Sequence, residues 1–267
     1  MTDSKKSLTE TDQDLPLIVN RSRTVDDLAA RALSVVAARG NRQAPSLNDR
    51  LVERLLEAAM GRSRESYRGV ARHMLSMGFA PDAIVDAYIP AVARRMGDEW
   101  CDDKSSFAAV TIGGSRLQAL LRELGTFWTS DDSLIKPHES ASALVMVPAR
   151  DQHTLGAAVL SSQLRRIGIS VRLSVGADAS SLASTIRSSE FDAVIISASG
   201  SARLDLMRDM VDTVRDSSVG PQPKIVVGGT ILHMDTDVRS ETGADLASLD
   251  LVETLDFCGF PTPRIQG

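Results

Sequence analysis

The run Ala143-Leu144-Val145-Met146-Val147, followed after a short turn by Asp151-Gln152-His153-Thr154-Leu155-Gly156, decides how this chain is read. An unbroken apolar run of strand length reads as a strand buried on both faces, as in a parallel sheet. Beyond the loop, Ala157 to Leu164 has helical spacing. A strand, a polar loop holding one histidine and a helix opening on glycine place that loop at the carboxyl end of a parallel strand. Ligands of open α/β sheets bind there. Asp151 lies two residues before His153, close enough to accept from one imidazole nitrogen. Such a bond would hold the tautomer and leave the other nitrogen free for a metal.

Downstream of this loop the pattern alternates. A strand at Val171-Arg172-Leu173 precedes a helix over 180–188, and Ala193-Val194-Ile195-Ile196 precedes a helix over 203–215. Lys224-Ile225-Val226-Val227 follows, and from Asp245 there is a short strand and a final helix. Strands alternating with helices predict a doubly wound parallel sheet over residues 142–267.

Upstream the spacing is helical throughout. Leu47, Leu51, Leu55 and Leu56 form one stripe ending near Gly61, and a second helix is expected over 63–77. A third starts at Pro81, where Pro90 should kink it, and a fourth runs from about Ser105 to Leu124 and stops at Gly125. Residues 47–129 are therefore expected to be a four-helix bundle, joined to the sheet by a polar linker over 130–141. Residues 1–46 read as an extension carrying one helix, capped by Thr24. It is either a tail or a docking arm for a partner.

Composition narrows the function classes. The chain has 267 residues, 43 % of them apolar and 24 % charged, as in ordinary globular proteins. No apolar run has the length of a membrane span, and the start of the chain lacks an exported leader's apolar core, so a cytoplasmic protein is expected. Cys101 and Cys258 stand far apart and suggest neither a disulfide framework nor a zinc site. A net charge of -5 argues against direct nucleic-acid binding. No nucleophile–base or carboxylate pair stands out, so nothing supports an independent hydrolase.

Other candidate residues are weak one at a time. His73, His138 and His233 have no second His or Cys at ligand spacing, which disfavours a multi-ligand zinc or iron site. Ser197-Ala198-Ser199-Gly200-Ser201 ends the third strand and Gly228-Gly229 the fourth. Small residues at neighbouring strand ends leave room for a long ligand to approach the backbone. Trp100 falls in the polar segment between the third and fourth helices. It reads as a cap on the bundle's end or as a flat apolar cover for a planar ligand.

Together, these features resemble one family. Asp-x-His-x-x-Gly, then Ser-x-Leu about forty residues on, then Gly-Gly somewhat under thirty further, mark the cobalamin-binding domain in which histidine displaces the ligand's own benzimidazole. Asp151, His153 and Gly156 match in full. Ser197 stands 41 positions after Gly156 with Ser199 in place of leucine, and Gly228 follows 29 after Ser199. The resemblance spans about residues 47–260 and implies a helical cap followed by a Rossmann-like domain. It implies that His153 is the metal's lower axial ligand, oriented by Asp151. It further implies that Gly156, Ser197, Ser199, Gly228 and Gly229 line the channel for the nucleotide tail, and that Trp100 lies over the upper face.

One departure matters. Related caps carry a tryptophan, nine residues, then Glu-His; here Val110-Thr111 stands at that place. The chain resembles the PpaA/AerR antirepressors, which have a short arm, a degenerate cap and no DNA-binding domain. That resemblance implies a cobalamin-binding regulator, with light or redox as candidate inputs, that contacts a photosynthesis-gene repressor of the PpsR/CrtJ type. The alternatives are a corrinoid carrier subunit of a methyltransferase system and, since histidine also ligates iron, a haem sensor.

Overall fold

The structure, a computed structural model, describes residues 47–130, 141–200 and 202–262, with the backbone alone at 127–130. The extension over 1–46 and nearly all of the expected linker lie outside the described residues.

The described chain opens on helices. In α1 (Asp49–Met60), Asn48 accepts from the N–H groups of Arg50 and Leu51, and Gly61 ends the helix in the left-handed conformation at φ 77°. Helix α2 (Tyr67–Ser76) begins later than the spacing predicts, because Ser66 caps it by accepting from the Gly69 N–H. The third rod has three parts: α3 (Pro81–Ala83), a π-helical segment (Ile84–Tyr88) and α4 (Ile89–Cys101). The Ile89 N–H bonds Ile84 O, a register one residue wider than an α-helix. The widened turn ends just ahead of Pro90, which has no N–H to offer Asp86. Where a kink is expected at Pro90, the structure has a π segment ending just before it.

Two expectations are corrected here. Trp100 lies in the last turn of α4, not in a polar connection, since the helix continues to Cys101. Helix α5 (Phe107–Ser130) runs straight through Gly125. Leu117, Leu120, Leu121 and Leu124 are buried on its inner face. That packing outweighs the cost of about 1 kcal/mol for glycine in a helix.

The second half is a sheet of five parallel strands: β1 (Ser142–Pro148), β2 (Ser170–Ala177), β3 (Ala193–Ser197), β4 (Lys224–Gly228) and β5 (Leu246–Ala247). Between them run α6 (Leu155–Arg166), α7 (Ala179–Ser188), α8 (Leu204–Ser217) and α9 (Val238–Thr242), and α10 (Leu251–Cys258) closes the described part. The strand order is β2-β1-β3-β4-β5.

The alternation within β1 explains the double winding. Leu144 and Met146 pack on one side with Leu182, Ile186, Met207 and Val211 of α7 and α8. Ala143, Val145 and Val147 pack on the other with Ala157 and Leu164 of α6 and with Leu255 of α10. Each face of one apolar run therefore serves a separate layer of helices.

A third core joins the two halves. Leu155 and Val159 of α6 are buried among bundle residues, including Leu117, Leu120, Leu124 and Met96. Helix α6 thus faces the sheet on one side and the bundle on the other.

Candidate functional site

The strand order reverses at β1: the chain passes outward to β2, then back across β1 to β3. The loops leaving β1 and β3 diverge at such a point, and a crevice opens between them. His153 lies in the first loop and Ser199 in the second.

Asp151 holds both loops together. Its side chain is 6 % exposed, and its Oδ1 meets His153 Nδ1 at 2.9 Å and accepts the His153 backbone N–H at 2.9 Å. Its Oδ2 accepts the Ser199 N–H at 2.6 Å. Burial, the largest influence, pushes this carboxyl up; the bonds from His153 and Ser199 outweigh it and hold the group below its ordinary range. A carboxylate at Nδ1 places the imidazole proton there and turns Nε2, with its lone pair, away from Asp151. The imidazole side chain is one-third exposed.

The approach to the loop is strained. Arg150 takes φ 72°, a left-handed conformation costing about 1–2 kcal/mol for a non-glycine residue. The Asp151 N–H closes the turn on Pro148 O at 3.1 Å. This turn carries the chain from the strand end into the crevice.

The second loop is pinned from both sides. Ser197 pairs with Gly228 across β3 and β4. The Gly200 N–H donates to Thr230 Oγ1 at 2.7 Å, and the Ile231 N–H donates to Ala198 O. Gly229 takes φ 95° and ψ -174°, and a Cβ there would stand 2.3 Å from Ala198 O. A Cβ on Gly228 would stand 2.9 Å from Ser248 O. Both glycines let neighbouring strand ends close on each other's backbone. That close approach positions the Ser199 N–H for Asp151.

The structure therefore brings together Asp151, His153, Ser197, Ser199, Gly228 and Gly229 at the carboxyl ends of β1, β3 and β4, with Gly156 in the first turn of α6. Trp100 stands on the bundle rather than on these loops. Its ring packs on Phe107 at 5.8 Å between centroids, at the end of the bundle. Arg62 and the Ser105 hydroxyl both bond Glu99 Oε2 beside it.

Residues that the sequence reading passed over complete the site. Thr230 is buried and clamps the β3 loop, and the only sign of it is its place directly after Gly228-Gly229. Gln118 Nε2 donates to Thr154 Oγ1 at 2.5 Å, linking α5 to the histidine loop across 36 residues. No spacing rule connects those two. Among the described residues, no three of His, Cys, Asp and Glu gather around a point where a bare ion could sit. His153 offers one imidazole. That donor suits a metal whose other positions a macrocycle already fills.

The B12 binding domain model matches residues 141–250, which hold all of these crevice residues. The chain belongs to the B12-binding domain family, and cobalamin is the cofactor of that domain. Over 164 residues it is 37 % identical to an uncharacterised 20.5 kDa protein of the bchF-crtJ intergenic region of Rhodobacter capsulatus, covering 61 % of this chain and 84 % of the relative. The fold is similar to that of the monomethylamine corrinoid protein of Methanosarcina barkeri, with a TM-score of 0.60 at 16 % identity. That similarity covers 79 % of this chain and 98 % of the other. No helix among the described residues is long and apolar enough to cross a membrane.

Proposed function

We propose that this chain is a corrinoid-sensing regulator that acts through protein contact, with His153 as the lower axial ligand of cobalt. The observation that carries the reading is the carboxylate of Asp151, which orients His153 and at the same time fixes the Ser199 loop. Bound cobalamin supplies a cobalt whose axial ligands can exchange. The protein's part is to present Nε2, with the Nδ1–H donated to the Asp151 carboxylate, and to fix the Ser199 loop beside it. Gly156, Ser197, Ser199, Gly228 and Gly229 line the path of the nucleotide tail, and Trp100 covers the upper face with Phe107 beside it.

The bundle supports a regulator over a catalyst. At the place of the Glu-His pair of related caps, the Thr111 hydroxyl donates a hydrogen bond to Phe107 O of its own helix at 2.8 Å. Val110 has no ionisable group. Without that pair, the cap has no acid or base at this place to assist a group transfer. The relative from the bchF-crtJ region agrees with a place among photosynthesis genes and with a repressor of the PpsR/CrtJ type as partner.

The test is spectroscopic. Full-length protein is mixed in turn with hydroxocobalamin, adenosylcobalamin and haem, desalted, and scanned in the dark and after illumination. Retained corrin bands that shift in His153→Ala are expected, together with altered DNA binding by the repressor when the loaded protein is added. A Soret band without corrin, or bands unchanged in His153→Ala, overturns the ligand assignment. Methyl transfer with a partner methyltransferase and no effect on the repressor moves the chain to the carrier class.

A further inference from the structure

Thr154 does not do what its position calls for. It is the N-cap of α6, and a threonine there ordinarily accepts from an N–H two or three residues on. In this structure it makes no such bond. Its Oγ1 accepts from Gln118 of the bundle instead. A local bond of the helix has been given up for one between the two halves of the molecule.

The surroundings make that exchange consequential. Thr154 is joined by one peptide bond to His153, whose ring and N–H are both held by Asp151. At the far end of α6, Arg166 pairs with Asp86 of the π segment, which Gln163 also bonds. Between the two ends, Leu155 and Val159 complete the bundle core. Helix α6 is thereby fastened to the bundle at both termini, and the fastening at its start touches the loop of the candidate ligand.

We infer that Gln118 and Thr154 form a two-position latch between bundle and ligand loop. Closed, the Thr154 hydroxyl accepts from Gln118; open, it accepts from the free N–H of Gly156 or Ala157 in the first turn of α6. The inference rests on the proposal that His153 ligates cobalt. Drawing His153 toward a metal carries Thr154 along, since the two share a peptide plane. The α6 N–H groups lie in the same segment, and a turn of Thr154 from φ -93°, ψ -11° to the extended cap conformation brings its hydroxyl to them. Gln118 sits on a separate helix, and a shift of about 1 Å takes a bond of this length past hydrogen-bond range. Ligation thus favours the open position, and a partner that pulls α5 away favours ligation in return. The two couplings are one free energy and must be equal.

The test is a titration of the full chain with hydroxocobalamin, followed by visible absorption, beside amide hydrogen exchange of α5. Gln118→Ala abolishes the closed position and should tighten binding about three- to tenfold, the worth of one hydrogen bond. Thr154→Ser keeps the hydroxyl and should bind as the wild type does. Exchange in α5 should rise on ligand addition in the wild type and be independent of ligand in Gln118→Ala. Gln118→Leu, closer in size, serves if the alanine variant does not fold. Unchanged or weaker binding in the Gln118 variants, with the His153-dependent spectrum retained, overturns the latch alone. No corrinoid retained by the wild type, or a spectrum unaltered in His153→Ala, overturns the underlying ligand assignment and the latch with it.

Discussion

The Ser199 N–H reaches Asp151 Oδ2 at 2.6 Å, so the residue that orients His153 also sets the position of the neighbouring strand's loop. Asp151 therefore does two jobs with its two oxygens, and substitutions that preserve its shape still separate from the wild type.

Asp151→Asn is the sharpest of these. Three N–H groups converge on the carboxylate, and an amide offers one acceptor oxygen while its NH₂ faces a donor. Loss of about 1–3 kcal/mol in folding stability is expected, measured by urea unfolding of the ligand-free protein. Corrinoid affinity should fall by about 10–100-fold, as it does when the outer partner of a ligating histidine is removed.

Acid should separate the same two proteins. Burial pushes the Asp151 carboxyl up, but the hydrogen bonds from His153 and Ser199 prevail, and its folded-state value lies below the reference of 3.8. The unfolded chain binds that proton more readily, so the stability Asp151 contributes is complete above the unfolded value. It is lost as pH falls through the folded one. The stability gap between wild type and Asp151→Asn should shrink steadily as pH is lowered from about 5 through this window. A gap independent of pH would contradict the assignment.

Gly229→Ala tests the backbone contact between β3 and β4. The residue occupies a region of φ and ψ that is essentially reserved for glycine, and an added methyl would collide with Ala198 O at 2.3 Å. Destabilisation of about 3 kcal/mol or more is expected, or no soluble protein at all. Gly243→Ala, also at positive φ but with nothing within 4 Å, should cost clearly less in the same thermal melt.

Leu155→Ala opens a hole where α6 meets the bundle. Leu155 is 9 % exposed and sits among bundle residues, so about 2–5 kcal/mol should be lost. Because its core is shared, bundle and sheet should still melt in one transition by calorimetry. Two resolved transitions would show that the halves unfold separately.

The elements were legible where hydrophobic period is strong. The run over 143–147 carried both faces of the sheet in plain alternation, and Asp151 and His153 are near enough in sequence for their bond to be read from spacing alone. Contacts between segments distant in sequence were not legible: Gln118 with Thr154, Asp151 with the Ser199 N–H, and Thr230 with the Gly200 N–H. Each is set by how the halves dock or how strands align, and a polar side chain gives no periodic sign of its target. Trp100 was misplaced because a helix end rich in charge looks like a loop, and Gly125 because tertiary packing outweighs local propensity.

The shared core has a consequence for synthesis. The bundle leaves the ribosome first, yet two of its core residues, Leu155 and Val159, belong to a helix ending at Arg166. At ordinary translation rates the nascent bundle waits roughly 2–7 s after Ser130 for that helix to be made. During this interval its apolar seam is exposed. The strand that precedes α6 then emerges with neither of its sheet neighbours, since β2 and β3 both follow it. The nascent chain is thus most vulnerable to aggregation while the segment that bears the histidine is being made, and chaperone capture should peak there.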